Sequence, residues 1–235
     1  PISEGVVFTL RLPRMIGAVL VGSALSLSGA AYQGVFKNPL VAPDLLGVSS
    51  GACVGASVAI LLHLNSFGVQ AMAFVAGILA VGLTLFIPRL IKNTNMTMLV
   101  LSGIIVKGIM DSVMGIIKYV ADPETELQSI TYWQLGSLTK VLPKDLFTVG
   151  PVIVAASVII FLLRWRINIL SLGDREAKTL GVSVTVVRNF IIICATLLTA
   201  SAVCISGTIG WIGLVIPHFA RMLTGPDNTK AIPAS

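Results

Sequence analysis

With 235 residues, 55% of them hydrophobic and only 11% charged, the chain falls far below the roughly one quarter charged residues of a soluble domain. A mean hydropathy of +0.95 excludes an ordinary water-solvated domain and makes lipid the main solvent of this protein. The formal net charge of +6 does not call for a nucleic-acid partner, because basic residues of a membrane protein sort to its cytoplasmic loops.

Long stretches carry no charged side chain: residues 15–36, 45–88, 146–163 and 189–220. About 18 apolar residues cross the hydrocarbon, where every backbone amide needs an internal partner, so these stretches predict transmembrane helices. In chain order, crossings are predicted at 15–35, 46–64, 69–90, 96–120, 146–165 and 187–206, followed by a shorter apolar piece at 209–223. Asn65-Ser66, Lys92-Asn93 and Gly207-Thr208 punctuate them. Pro1 is followed by no basic segment with a small-residue cleavage site, so no signal peptide is read, and a longer functional protein is expected.

Placing residues 1–13 outside puts Lys37, Arg89, Lys92, Arg164, Arg166, Arg175, Lys178, Arg188, Arg221 and Lys230 on the cytoplasmic side. The opposite loops then hold Arg11, Arg14, Lys140 and Lys144 beside Glu4, Asp122, Glu124, Glu126 and Asp145. That asymmetry supports the orientation, with Arg11 and Arg14 counting against it.

An internal echo runs through the chain. Ser28-Gly29, Pro39 and Gly47 recur at the same spacing as Ser206-Gly207, Pro217 and Gly225, while Leu20, Ala24 and Ala42 match Leu198, Ala202 and Ala220. The copies lie an odd number of crossings apart, which predicts halves of inverted topology, an arrangement found in many transporters. Small residues at four-residue spacing, Gly22, Ser26, Ala30 and then Gly47, Gly51, Gly55, predict closely packed helices.

Few residues offer chemistry. No GxxxxGK[ST] loop occurs, so nucleotide phosphates are not held in that manner. His63 and His218 have no second ligand at metal-binding spacing, and Cys53, Cys194 and Cys204 stand singly in apolar spans as packing residues. No catalytic residue and no metal ligand is assigned, and an intramembrane enzyme lacks a dyad. Lys107 and Asp111 differ, because ionisable residues within a span are expensive and mark function. Their spacing puts them on one face of one helix. They read either as a self-neutralising pair that fixes helix packing or as a lining of the translocation path. Between the fifth and sixth crossings, the charged DREAK core flanked by Gly173 and Gly181 predicts a short surface helix with a glycine stop, of a length that suits docking.

Five stretches together resemble the FecCD family, permeases of ABC importers for iron siderophores, haem and vitamin B12. They are LRLPR at 10–14, SGAAYQGVFKNPLVAPDLLGVSSGACVG at 28–55, YWQLGSL at 132–138, LSLGDREAKTLGV at 170–182 and SGTIGWIGLVIPHFARMLTG at 206–225, in family order. The resemblance implies an all-α polytopic membrane helix bundle with inverted-repeat halves, a homodimer of about ten spans per subunit. Residues 1–235 would form a single transmembrane permease domain covering about the second to eighth of those spans, with the chain truncated relative to the whole.

Its implied partners are a second permease, two cytoplasmic ATPase subunits, an external substrate-binding protein and membrane lipid. No cofactor is expected in this chain, since ATP and magnesium would sit on the ATPase. The 170–182 connector would form the cytoplasmic coupling helices, through Leu172, Gly173, Asp174, Arg175, Glu176, Ala177, Lys178, Leu180 and Gly181. Arg11 and Arg14 resemble arginines that receive the binding protein at the external mouth, the other reading being that they snorkel to lipid phosphates. Lys107 and Asp111 would line the translocation pathway, where the family pattern is apolar. The expected cargo is a ferric siderophore, followed by haem, cobalamin and oxyanions such as molybdate. The alternative is an ion-coupled secondary transporter using Lys107 and Asp111.

Overall fold

The computed structural model describes residues 6–93, 95–139 and 141–235. Glu4 and Lys140, both assigned to the external side from the sequence, lie outside the described residues. A π-helical turn at Val7–Arg11 leads into α1 (Leu12–Phe36), and the described elements that follow are all helical: α2 (Val48–Leu61), α3 (Ser66–Leu90), α4 (Met96–Val120), α5 (Glu126–Leu135), α6 (Pro143–Leu172), α7 (Asp174–Thr179), α8 (Val184–Ser206), α9 (Ile212–Thr224) and α10 (Asn228–Ala234). Pro13 does not begin α1. The helix already runs from Val7, and the π turn opens the backbone just where the ring of Pro13 would otherwise meet a carbonyl one turn back.

Among the described residues five helices are long and apolar enough to cross a membrane: Val7–Phe36, Ser66–Leu90, Met96–Val120, Pro143–Leu172 and Val184–Ser206. The crossing predicted at 46–64 is shorter than read. Pro39 and Pro43 cannot continue α1, the chain turns back as a 3-10 turn at Pro43–Leu46, and Gly47 takes a positive φ of 81° before α2 starts. At 14 residues, α2 reaches only about 21 Å, less than the hydrocarbon thickness, so it begins at mid-depth. The short α9 is its counterpart in the second half, with 13 residues.

Helix α8 is the axis of the bundle, 78% buried over its most apolar window against 28% for α4 and α6. Beyond Arg188 and Asn189 near its start it is apolar except for hydroxyls, of which Thr196 bonds back to the Ile192 carbonyl at 2.7 Å and Thr199 to that of Ala195 at 3.0 Å. Antiparallel to it lies α1, whose Ser28 Oγ donates to Ala195 O at 2.9 Å and pairs with Thr199 Oγ1 at 2.7 Å. Tyr32 and Thr196 pair by hydroxyls at 3.1 Å. The leading helices of the two halves thus pack directly against each other.

The sequence echo is only partly an echo of structure. Gly47 and Gly225 both take positive φ, 81° and 87°, but Ser28-Gly29 lies inside α1 whereas Ser206-Gly207 ends α8. The reason is local: Gly29 packs against the Gly213 backbone, and a Cβ there would overlap it, so the glycine serves close approach in one copy and a helix stop in the other. Of the two small-residue stripes, Gly51 and Gly55 seat α2 on α3 against Ala76 and Met72, while Gly22 has open space beside it.

Candidate functional site

The two breaks at mid-depth meet. Pro43, opening the turn before α2, lies against Gly213 in the first turn of α9, where a side chain would collide with the proline ring. Around this meeting point is a cavity of about 360 Å³ whose wall includes Asp44, Cys53, Lys107, Asp111, Gln134, Thr208 and Trp211. Irregular backbone at membrane depth is tolerated where it lines such a cavity.

Lys107 and Asp111 both reach this wall, yet they are not each other's partner. Lys107 Nζ donates to Asp44 Oδ2 at 2.7 Å. Asp44 accepts the amide of Ser49 with its other oxygen at 3.0 Å, capping the start of α2. One carboxylate thus closes a helix end and holds the re-entrant turn to α4. Glycines bring the two within reach: Gly47 packs at the Lys107 backbone and Gly103 against the Leu45 carbonyl. Asp111 remains exposed on the wall one turn from Lys107.

Short helix α5 closes the external side of this cavity. Ile130 is fully buried, Thr208 Oγ1 donates to the Gln134 carbonyl, and Ser137 N donates to Ser206 O at 2.6 Å. The run of Asp122-Pro123 before it is a turn signal, with the amides of Glu124 and Thr125 donating to Asp122 Oδ1 at 2.8 and 3.2 Å.

At the cytoplasmic end, α7 sits between α6 and α8. Leu170 and Leu172 belong to α6, Gly173 makes the break with φ of 148°, and Gly181 stops the helix in a Schellman arrangement. There Val182 N donates to Ala177 O at 3.0 Å and Gly181 N to Lys178 O at 3.0 Å. Ala177 and Val182 are buried and anchor the element, while Arg175, Glu176, Lys178 and the leucines at 172 and 180 face outward.

Asp174 is also exposed but, unlike its neighbours, is engaged within the fold. It accepts Arg188 Nη2 on both oxygens at 2.7 and 2.8 Å and Lys37 Nζ at 3.3 Å, tying α7 to the first turns of α8 and the last turn of α1. The Arg188 guanidinium holds the Asp174 carboxyl below the usual carboxylate range. Three residues from distant parts of the sequence, all assigned to the cytoplasmic side, meet here. Asp44, Gln134, Arg188 and Lys37 escaped notice as site residues because their roles arise from contacts across the fold; only Asp44, a lone charge beside Pro43 in an apolar surrounding, carried a local signal.

Arg11 and Arg14 lie in the π turn and first turn of the first span, exposed, and neither forms a hydrogen bond or ion pair among the described residues. Described His, Cys, Asp and Glu side chains form no group that could hold a metal ion.

Comparison with known proteins agrees with this architecture. The sequence profile of the FecCD transport family matches residues 1–235. The chain is 40% identical over 230 residues to an iron chelatin transport system permease protein of Helicobacter pylori, covering 98% of this chain and 69% of that one. To the molybdate import system permease protein MolB of Haemophilus influenzae it is 37% identical over 236 residues, covering 100% and 70%. A solved metal-chelate type ABC transporter in an inward-facing conformation superposes with a TM-score of 0.95 at 36% identity, covering 100% of this chain and 75% of that one.

Proposed function

We propose, from the premise that this chain belongs to the FecCD transport family and is an ABC importer permease of the cytoplasmic membrane, that it admits a ferric siderophore or related metal chelate. That membership displaces the ion-coupled alternative. The observation that carries the cargo reading is the mid-membrane cavity, about 360 Å³ in volume and walled by both apolar and polar groups, which suits a bulky chelate with a mixed surface.

In this reading the protein works as a homodimer with two ATPase subunits and an external binding protein. The outward side chains of α7, with Leu172 and Leu180 flanking its charges, dock the ATPase. When the ATPases close on ATP, the pull on α7 passes through Asp174 to Arg188 and Lys37, and so to α8 and α1 together. Because those helices are joined by the Ser28 and Tyr32 hydrogen bonds, they move as one body and change the access of the cavity. Arg11 and Arg14 receive the binding protein, and Lys107 and Asp111 line the path. No covalent chemistry falls to this chain.

The test is uptake into proteoliposomes holding the permease, its ATPase and its binding protein. Ferric siderophore should accumulate only with ATP present, and molybdate should not compete. Uptake of molybdate with exclusion of ferric chelates would reassign the cargo.

A further inference from the structure

Where α3 ends and α8 begins, a small cavity of about 50 Å³ opens at the cytoplasmic edge. Pro88 and Leu99 form its apolar wall; Arg89, Thr185, Arg188 and Asn189 form its polar one. Its volume is close to that of two water molecules in the liquid.

Arg188 is only 7% exposed. Its Nη2 is engaged with Asp174, yet its Nε is buried without a hydrogen-bond partner among the described residues. Such a group is costly to leave unpaired, above all on a charged side chain. Arg89, on the facing helix, is exposed and forms no ion pair among the described residues. Helix α8 opens at the same place with no side-chain cap from Ser183 and no acidic residue in its first turn, so its leading amides are available to an anion.

Charge points the same way. Asp174 is the one carboxylate paired with Arg188 among the described residues, and Lys37 shares it. Two cations thus share one carboxylate, and Arg89 adds a further positive charge at the cavity wall. Next in sequence to the lining residues Leu85 and Thr185 stand exposed apolar side chains: Phe86 is 51% exposed and Val186 68%.

We propose that this is a headgroup site for an anionic phospholipid. The phosphate is held by Arg89 and Arg188 at the first turn of α8, and the acyl chains run along the exposed faces of α3 and α8. Charge-assisted pairing of guanidinium with phosphate supplies the specificity, and basic pockets between helices on the cytoplasmic side are suited to such headgroups. The position at the membrane edge with apolar flanks favours a lipid over free phosphate. The site does not depend on the identity of the cargo.

Native mass spectrometry of the full permease released from detergent tests this. Phosphatidylglycerol should be retained in preference to phosphatidylcholine of the same chains. Arg89→Gln should lower phosphatidylglycerol retention about fivefold, the weight of one arginine at an anionic surface, and leave phosphatidylcholine retention unchanged. This variant keeps the fold, since Arg89 is exposed and unpaired; Arg188→Gln should lower retention further. Equal retention of the two lipids, or retention unaffected by Arg89→Gln, overturns the site. Displacement of phosphatidylglycerol by inorganic phosphate alone overturns the lipid assignment in favour of a free anion.

Discussion

The ion pairs at mid-membrane and at the cytoplasmic edge both join distant parts of the sequence, and they differ in what surrounds them. At mid-membrane, Lys107 and Asp44 form a single 2.7 Å pair between α4 and the turn before α2. At the cytoplasmic edge, Asp174 is shared between Arg188 and Lys37. The first lies on the wall of a cavity within the spanning helices, where solvation is only partial, so an orphaned partner is costly. The second borders solvent, so its weight lies in which elements it joins more than in the stability it adds. Similar chemistry thus holds a re-entrant turn in one place and ties three helical elements together in the other.

Removing one partner of the mid-membrane pair should have the largest effect. Asp44→Asn or Lys107→Met should each cost about 2 kcal/mol, below the full cost of an orphaned buried charge because both side chains keep access to the cavity. The double variant should lose less than either single one. Thermal unfolding of purified protein reads this directly. The same cycle with Lys107 and Asp111 should show little coupling, and strong coupling there would restore the self-neutralising pair read from the sequence.

That pair shows how far sequence reading reached. Helical spacing correctly put Lys107 and Asp111 on one face, and composition located the long spans, because both are properties of contiguous residues. The partner of Lys107 sits 63 positions away, brought close by a re-entrant turn that hydropathy alone smoothed into a crossing. Likewise the DREAK core announced α7 through its flanking glycines, whereas its tether to Arg188 and Lys37 could not be seen before the helices were assembled. Helix α5 was missed because ten residues of mixed polarity carry too weak a pattern.

Breaking the cytoplasmic cluster should separate transport from hydrolysis. With Arg188→Gln, transport per ATP hydrolysed should fall severalfold, while the ATPase still co-purifies. Lys37→Gln should act in the same direction but by about twofold or less, as expected of an exposed pair. The conservative Arg188→Lys should recover part of the loss. If all three variants keep the wild-type ratio, the tether has no part in coupling.

An effect on association rate is expected where charges have no partner among the described residues. Arg11→Glu with Arg14→Glu should slow association of the binding protein by about tenfold at low ionic strength, an effect that fades with added salt. Equal association rates at low salt would leave lipid anchoring as the account of these arginines.

The smallest effect concerns pH. A carboxyl held below its ordinary value stabilises fully above that value and loses its contribution as pH falls through the lowered one. Since Asp174 is shifted down, the tether should stay intact from pH 8 to about 5 and weaken only below about 3.9, the ordinary aspartate value. A coupling ratio that changes between pH 8 and 6 would have to come from another group.

The short reach of α2 and α9 has an electrostatic consequence. Both helices begin at the wall of the mid-membrane cavity, at Ser49 and at Trp211 to Gly213, so each aims the positive end of its macrodipole there. Two such ends amount to about half an elementary charge apiece. The side chains on the wall, two carboxylates and one ammonium, leave one negative charge. These contributions nearly cancel, and the chamber is left without a strong field of either sign. A passing chelate would then be neither trapped nor repelled by its net charge, which leaves selection by charge to the surfaces outside the membrane.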